Sequence, residues 1–154
     1  MKILVTGGAG FIGSHLMRTL EAAGHEAIAL DNLSTGLREN LLPHMKLIVM
    51  DTHDKAVEEV FQKEHFDAVV HLAAQTLVSD SMTDPEHDMH ENIAGTVRIL
   101  ECCRKYGVKR IVFSSSAATY GDVADSALPI SETLPQQPLS FYGLTKKTAE
   151  NYLE

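Results

Sequence analysis

The sequence predicts an α/β fold built on a doubly wound parallel sheet, and two observations support this prediction. Short apolar runs alternate with segments whose apolar residues recur at helical spacing, as expected for strands that alternate with helices. The runs are apolar at consecutive positions, which is typical of strands buried on both faces of a parallel sheet. Such a sheet requires right-handed crossovers and places ligands at the carboxyl ends of its strands.

The strands and the first two helices follow in order along the chain. The predicted strands cover residues 2–5, 26–30, 46–50, 68–72 and 110–113. The first helix begins at Phe11 and ends at Gly24, because glycine commonly ends a helix. We expect Asp54 to cap the second helix. The side chains that this helix is expected to bury are Val57, Val60 and Phe61.

A long third helix and a final helix complete the predicted pattern. Asp84 and Pro85 form a cap and first turn for the third helix, and Gly107 ends it. Its apolar stripe, which we expect to face the core, consists of Met89, Ile93, Val97 and Leu100. The final helix begins near Phe141 and continues to Glu154. Residues 122–140 form a loop long enough to suggest that it borders a functional site.

Length and charge narrow the classes of function. A chain of 154 residues fits one domain. Lys and Arg number 13 and Asp and Glu 21, so the net charge is −8, which argues against nucleic acid or an anionic membrane surface as the main partner. No apolar run approaches the roughly 20 residues that span a bilayer. Cys102 and Cys103 are adjacent and are not expected to form a bridge, so we expect a cytoplasmic protein.

Three glycines after the first strand predict a dinucleotide site. Gly7, Gly10 and Gly13 have the spacing G-x-x-G-x-x-G. Gly7 would permit the tight turn, Gly10 would let the backbone approach a pyrophosphate, and Gly13 would let the helix pack closely on the sheet. The amino terminus of the helix offers free N–H groups and the positive end of its dipole to phosphates.

Acidic residues at the ends of the next strands predict which dinucleotide binds. Asp31 lies where a carboxylate accepts hydrogen bonds from the adenosine ribose hydroxyls and repels a 2′-phosphate, which favours NAD over NADP. Arg38 is the nearby cation that could weaken this preference. Asp31 could instead only cap the turn with Asn32. Asp51 ends the third strand, where it could meet the adenine or be an ordinary loop residue.

A tyrosine and a lysine on the final helix suggest proton chemistry. Tyr142 and Lys146 are four residues apart and therefore share one helix face. A phenol ordinarily loses its proton near pH 10, so a tyrosine acts as a base at neutral pH only beside a positive charge, which Lys146 could supply. Ser116 follows the fifth strand and could hydrogen-bond both the phenolate and a substrate hydroxyl. No set of residues predicts a metal site.

Four motifs follow one another along the chain. Thr6 to Gly13 reads TGGAGFIG, His71 to Ala74 reads HLAA, Phe113 to Gly121 reads FSSSAATYG, and Tyr142 and Lys146 complete the set. In this order they resemble the extended short-chain dehydrogenase/reductase family and, within it, the NAD-dependent nucleotide-sugar epimerases and dehydratases. The resemblance covers nearly the whole chain and implies a Rossmann-like fold of about five strands.

The resemblance also implies a role for each matched residue. Tyr142 would be the catalytic base, Lys146 would assist it and hold the nicotinamide ribose, and Ser116 would orient the substrate. The remaining residues that it implies for NAD binding are Gly7, Gly10, Phe11, Ile12, Gly13, Asp31, Asn32, Asp51, Thr52, Ala73, Ala74 and Asn92. Family members often dimerise through the helix after Asp84 and the helix around Tyr142, so a homo-oligomer through these helices is expected.

The residues after Ser116 narrow the implied reaction. Dehydratases of this group carry carboxylates just beyond the strand-end Ser or Thr, whereas this chain has Ala117 and Ala118. Without a proton donor there, epimerisation or oxidoreduction remains. Residues 31–36, DNLSTG, most resemble the UDP-glucose 4-epimerases. The resemblance thus implies reversible hydride transfer at sugar C4 of a UDP-sugar such as UDP-glucose or UDP-galactose.

The length of the chain leaves alternative functions open. Members of the family are usually about twice as long, and the chain ends inside the helix that carries Tyr142 and Lys146. We therefore interpret residues 1–154 as an NAD-binding domain without the last strands and the small substrate domain, so that cofactor binding survives better than turnover. A sugar-nucleotide reductase or dehydrogenase, or a module that senses NAD without catalysis, are the alternative interpretations.

Overall fold

The computed structural model describes residues 1–154 and contains one five-stranded parallel sheet. The strands are β1 (Lys2–Thr6), β2 (Glu26–Asp31), β3 (Lys46–Val49), β4 (Ala68–His71) and β5 (Ile111–Phe113). Their order across the sheet is β3-β2-β1-β4-β5, and every neighbouring pair is parallel. The predicted doubly wound, Rossmann-like α/β fold is confirmed, with β5 at one edge of the sheet.

Six α-helices accompany the sheet. They are α1 (Phe11–Ala22), α2 (Val57–Glu64), α3 (Val78–Thr83), α4 (Pro85–Met89), α5 (Gly95–Tyr106) and α6 (Phe141–Leu153). None of them is both long and apolar enough to cross a membrane. The chain divides into two compact units: the first comprises Met1–Ala74 and Ala94–Ser114, and the second comprises Gln75–Ile93 and Ser115–Glu154.

The first unit holds the sheet and buries apolar side chains on both of its faces. Successive residues of a strand point to opposite faces, so Leu4 joins one core cluster and Val5 the other. The cluster with Leu4 includes Phe61 of α2 and Ile99 of α5, whereas the cluster with Val5 includes Met17 of α1. Burial on both faces explains why the central strands β1, β2 and β4 read as continuous apolar runs, whereas the edge strands β3 and β5 are only partly buried.

A buried carboxylate ties together distant segments at the amino-terminal edge of this sheet. Glu64, at the end of α2, accepts hydrogen bonds from Lys2 Nζ at 2.6 Å and from Lys46 Nζ at 2.5 Å. Its side chain is 7% exposed, while those of Lys2 and Lys46 are 23% and 50% exposed. The hydrogen bonds from the two lysines lower the pKa of Glu64 to about 2.

The second unit contains α3, α4 and α6, together with the loop that follows β5. The side chain of Asp84 caps α4 by accepting from His87 N at 3.0 Å, as predicted for Asp84 and Pro85. Ser140 caps α6 in the same way, because its Oγ accepts from Gly143 N at 3.0 Å.

The predicted third helix differs from the observed one in the face that it buries. The chain is helical from Pro85 to Tyr106, but a π-helical segment, His90–Ala94, lies between α4 and α5. Each position of the predicted stripe lies one residue after a buried position, and Ile93, Val97 and Leu100 are only half-buried. Met89 of the predicted stripe is 39% exposed. The side chains buried beyond α4 are instead Asn92, Thr96, Ile99, Cys102 and Cys103.

The start of α2 differs from the prediction, and one short helix was not predicted at all. Helix α2 begins at Val57, and its cap residue Ala56 makes no side-chain hydrogen bond. Asp54 Oδ1 instead accepts from Ala56 N at 2.8 Å, so Asp54 organises the preceding turn and is not the cap. Helix α3 was not predicted, because Val78–Thr83 is short and rich in Ser, Asp and Thr.

Candidate functional site

The glycine turn between β1 and α1 has the geometry that its spacing predicts. Gly7 has φ 67°, a conformation that favours glycine. A Cβ on Gly13 would lie 2.1 Å from the Gly7 carbonyl oxygen, so Gly13 lets α1 pack on the turn itself, and not on the sheet as predicted. A Cβ on Gly8 would lie 2.5 Å from the Ala29 Cβ, a requirement that the sequence pattern does not reveal.

The amino terminus of α1 is free to accept an anion. Gly10 is the cap residue and makes no side-chain hydrogen bond. The first hydrogen bond of the helix runs from Ser14 N to Gly10 O at 3.0 Å, which leaves the amides of Phe11, Ile12 and Gly13 without a partner in the helix. A Cβ on Gly10 would touch only the Gly7 oxygen, at 3.2 Å. These features fit a pyrophosphate approaching the backbone.

Asp31 is tied to the same turn. Its Oδ2 accepts from Ala9 N and its Oδ1 from Leu33 N, both at 2.9 Å, and the residue is 6% exposed. The turn-capping role considered for Asp31 is therefore present in the structure. A carboxylate oxygen has further lone pairs, so these bonds still allow it to accept from ribose hydroxyls. Gly36 packs against this carboxylate, since a Cβ there would lie 2.8 Å from Asp31 Oδ1.

The loops after β2 and β3 meet beside Asp31. Asn32 Nδ2 donates to Asp51 Oδ1 at 2.6 Å, so two residues implied in adenosine binding are joined directly. Thr52 is buried, and a Cβ on Gly95 would lie 2.3 Å from its Oγ1. Close packing of the first residue of α5 thus fixes Thr52 at the carboxyl end of β3.

The end of β4 is held against the glycine turn. Thr6 Oγ1 accepts from Leu72 N at 3.1 Å and from Ala73 N at 3.2 Å, and it lies 2.6 Å from His71 Nδ1. A Cβ on Gly7 would lie 2.8 Å from Ala73 N. His71 is 1% exposed and its Nε2 lies 3.0 Å from Thr96 Oγ1, so it is a packed, hydrogen-bonded residue of the core.

The predicted residues divide between the two units. The first unit brings together Gly7, Gly10, Phe11, Ile12, Gly13, Asp31, Asn32, Asp51, Thr52, Ala73 and Ala74. The second unit contains Asn92, Ser116, Tyr142 and Lys146.

Close packing joins Ser116 to the helix that carries Tyr142. Ser116 caps a short 3-10 turn, Ala117–Thr119, where its Oγ accepts from Ala118 N at 3.1 Å. A Cβ on Gly143 would lie 2.5 Å from the Ala118 oxygen, so α6 approaches this turn more closely than a side chain would permit. Ser116 and Tyr142 therefore flank one tight contact.

Lys146 lies beside Tyr142 and is buried. Its Nζ is 6.0 Å from the centre of the Tyr142 ring, and the residue is 3% exposed. Burial lowers the pKa of Lys146 to about 8, against an opposing effect of the Asp88 carboxylate. This pKa still lies above neutral pH, which is compatible with the positive charge that the expected assistance to Tyr142 requires.

A buried polar network in the second unit was missed by sequence reasoning. Asp88 is fully buried; its Oδ2 accepts from Thr145 Oγ1 at 2.8 Å and its Oδ1 from Asn92 Nδ2 at 3.1 Å. Asn92 Oδ1 accepts from Gln75 N at 2.9 Å. The only sequence signals are that Asp88 lies four residues before Asn92 on a helix and that Thr145 directly precedes Lys146.

The sheet order, the glycine turn and the tyrosine–lysine pair define a Rossmann-like α/β protein of the dinucleotide-binding class. A profile described as "NAD dependent epimerase/dehydratase family" matches residues 3–154. The chain belongs to this family.

Curated relatives and solved structures agree with this assignment. The chain is 44% identical over 146 residues to the UDP-glucose 4-epimerase of Corynebacterium glutamicum, a match that covers 95% of this chain and 44% of that protein. It superposes with a TM-score of 0.95 on the UDP-glucose 4-epimerase of Thermus thermophilus in complex with NAD, at 43% identity, covering 99% of this chain and 50% of that one. The Thermotoga maritima enzyme with UDP-glucose gives a TM-score of 0.95 at 41% identity, with the same coverage.

These relatives are longer than the chain. It spans about half the length of the curated relatives and solved structures that it matches.

Proposed function

We propose that the chain is the NAD-binding portion of a nucleotide-sugar 4-epimerase that acts on UDP-sugars of the UDP-glucose and UDP-galactose type. Family membership and the relatives' recorded activity support the class of reaction. The observation that carries the catalytic part is the charged, buried Lys146 beside the Tyr142 ring, on a helix packed against the Ser116 turn.

The first unit offers the groups that would hold NAD. The free amides at the start of α1 suit the pyrophosphate, and Asp31 suits the adenosine ribose and disfavours a 2′-phosphate. Arg38, the cation that could weaken this preference, donates from Nη2 to the carbonyl oxygens of Pro43 and Met45. The residues proposed for the adenine end are Asn32, Asp51 and Thr52, and those proposed to line the cofactor further on are Ala73 and Ala74. Asn92, which belongs to the second unit, is also proposed to line or support the cofactor.

The second unit offers the groups that would move a proton. When bound, NAD supplies a reversible acceptor for hydride from the sugar carbon. Tyr142 Oη would take the proton of the C4 hydroxyl and later return it, while the positive charge of Lys146 favours the phenolate. Ser116 Oγ would orient the same hydroxyl. Ala117 and Ala118 place no acid beside it, which favours epimerisation over elimination of water.

Self-association through the second unit and a cytoplasmic location belong to the same proposal. Apolar side chains of α4 and α6 are exposed, among them Met89 at 39%, Leu144 at 47% and Tyr152 at 57%. Cys102 and Cys103 are both free thiols, and burial raises the pKa of Cys103 to about 12, which makes it unreactive.

Replacement of the proposed base tests the catalytic assignment. In the natural gene product, Tyr142→Phe should reduce interconversion of UDP-glucose and UDP-galactose by at least about 100-fold, because the phenolic oxygen that moves the proton is lost. Tyr152→Phe, on the exposed part of the same helix, is the matched control and should retain activity.

Three results would count against this proposal. Unchanged activity in Tyr142→Phe would remove the assignment of the base. Net accumulation of NADH would indicate a dehydrogenase, and NAD binding without any turnover would indicate a sensor.

A further inference from the structure

The burial of Lys146 opposes the positive charge that its proposed role requires. An ammonium group removed from water loses its hydration, and burial accordingly shifts lysine towards the neutral form. Lys146 is 3% exposed, yet assistance to a tyrosine base requires it to carry its charge. A fixed negative charge close by would resolve the conflict.

Asp88 is built into the second unit as such a charge. It is 0% exposed, and both carboxylate oxygens accept hydrogen bonds, Oδ2 from Thr145 and Oδ1 from Asn92. Thr145 is the residue before Lys146, so the group that holds the carboxylate is adjacent in sequence to the lysine. Asp88 and Lys146 also act on each other electrostatically, each favouring the charged form of its partner.

The orientation of Asn92 is set by its neighbours. Its Oδ1 accepts from Gln75 N at 2.9 Å, so its Nδ2 is the atom that faces Asp88 Oδ1. The same nitrogen also lies 3.1 Å from Gln75 O and 3.1 Å from Thr145 Oγ1. The amide therefore presents donors to Asp88, which suits an ionised carboxylate that can only accept.

Other ionisable groups are less well placed to act on this pair. On α4, His87 also favours the ionised form of Asp88 but is exposed. On α3, Asp80 is exposed and accepts from Ser79 Oγ. On α6, Glu150 is engaged by Ser115 and by Gln136 Nε2, and the Tyr142 ring lies 6.0 Å from the lysine.

We propose that Asp88 is a positioning residue for Lys146: its buried carboxylate, held by Thr145 and Asn92, is the counter-charge that keeps the lysine protonated in the folded protein. This deepens the proposed function, on which the importance of a charged Lys146 rests. Asp88 itself need not touch the substrate or the cofactor. Its effect would be read in the pH at which Lys146 loses its proton.

The experiment is an NMR titration of the chain with carbon-13 at the lysine Cε position. Lys146→Arg identifies the Lys146 signal by its disappearance. In the wild type the Lys146 midpoint should lie near pH 8. Asp88→Asn should lower the Lys146 midpoint by about one pH unit, as expected for loss of a nearby opposite charge. Asp88→Glu keeps the negative charge, so it should lower the midpoint by less.

A matched control separates a local effect from a change of net charge. Asp84→Asn removes one negative charge from the exposed start of the same helix and still provides a cap, so it should leave the Lys146 midpoint in place. Equal midpoints in the wild type and in folded Asp88→Asn would overturn the proposal. So would an equal shift in Asp84→Asn.

A reciprocal measurement keeps the proposal testable if Asp88→Asn does not fold. Coupling between two sites is mutual, so Lys146→Met should raise the titration midpoint of the Asp88 carboxyl carbon. An unmoved Asp88 midpoint would overturn the proposal. Neither titration needs NAD or a sugar, so a failure of the proposed function would show separately, as absent NAD binding or absent epimerisation, while the shifts remained.

Discussion

Glu64 and Asp88 are both buried carboxylates, yet their surroundings push them in opposite directions. Glu64 lies between two lysine ammonium groups at 2.5 and 2.6 Å, and their hydrogen bonds lower its pKa to about 2. Asp88 is held by the neutral groups of Thr145 and Asn92, and burial raises its pKa despite the nearby charge of Lys146.

This difference indicates that the Glu64 charge stabilises the fold, whereas the buried charges of Asp88 and Lys146 destabilise it. Lys2 and Lys46 keep part of their surface in water, so pairing with Glu64 requires little desolvation. Asp88 and Lys146 are both buried, and burial is the largest influence on each of them. Proteins keep such unfavourable charges mainly where function needs them. The contrast therefore supports the proposal that the catalytic groups lie around Lys146.

Removal of the buried charges of both Asp88 and Lys146 should give the largest change in the free energy of unfolding. Asp88→Asn combined with Lys146→Met should stabilise the folded chain by about 2 kcal/mol at pH 7, because apolar or neutral replacement of a buried ion pair is often favourable. Each single variant should be less stable than the double variant, since it leaves one buried charge without its partner. Chemical denaturation at fixed pH measures all four proteins.

This result would show that the charges of Asp88 and Lys146 lower the stability of the fold although the proposed activity requires them. The double variant should lack epimerase activity while unfolding at higher denaturant concentration. A double variant that is less stable than the wild type by more than about 1 kcal/mol would break the comparison, because the pair would then act as the Glu64 cluster does.

Neutralising Glu64 should lower the free energy of unfolding, by less than the Asp88 and Lys146 double variant raises it. Its folded pKa of about 2 lies below the ordinary value of 4.5, so its stabilisation is complete above pH 4.5 and is lost as the pH falls towards 2. Because the lysines are partly exposed, Glu64→Gln should cost only about 1–2 kcal/mol at pH 7. Unfolding free energies measured from pH 7 to pH 2 should converge for the two proteins.

An exposed residue of the same helix provides the control. Glu59→Gln removes one charge from the solvent-facing side of α2 and should change stability by less than about 0.5 kcal/mol. If wild type and Glu64→Gln instead stayed equally far apart down to pH 2, the lysine pairs would not be the source of the stabilisation.

Local patterns explain what the sequence could predict. The need for glycine at positions 7 and 13 was predictable because each answers a backbone requirement within a few residues, namely φ 67° at Gly7 and the close approach of Gly13 to the Gly7 oxygen. The need at Gly8 was not, because that residue packs against the distant Ala29. The central strands could be assigned because strands buried on both faces have a simple apolar signature. Most of the proposed site residues were implied by the resemblance to the epimerase family, whereas Asp31 and Ser116 could also be placed because the carboxyl ends of parallel strands gather at one edge of a sheet.

Features that depend on distant partners could not be predicted. Glu64 pairs with residues 62 and 18 positions away. Asp88 and Thr145 are 57 positions apart, and no pattern marks a carboxylate on a polar helix as buried. The buried face of the helix after Pro85 was missed for another reason: it carries the polar residues Asp88, Asn92 and Thr96, so the apolar stripe through Met89 was assigned to the core instead.

The central claim, that the turn before α1 holds the diphosphate of NAD, is tested most directly by calorimetry on matched glycine variants. Gly10→Ala should preserve the fold, because the residue has φ −74° and its Cβ would meet only the Gly7 oxygen at 3.2 Å. The added methyl group would nevertheless occupy the approach of the pyrophosphate. Gly24→Ala, at the other end of the helix region, strains a residue with φ 78° and leaves that approach open.

We expect one NAD site in the wild type and in Gly24→Ala, and at least about a tenfold weaker affinity in Gly10→Ala, which corresponds to about 1.4 kcal/mol of binding free energy. Absence of binding heat across temperatures in the folded wild-type chain, or equal affinity in folded Gly10→Ala, would contradict the central claim.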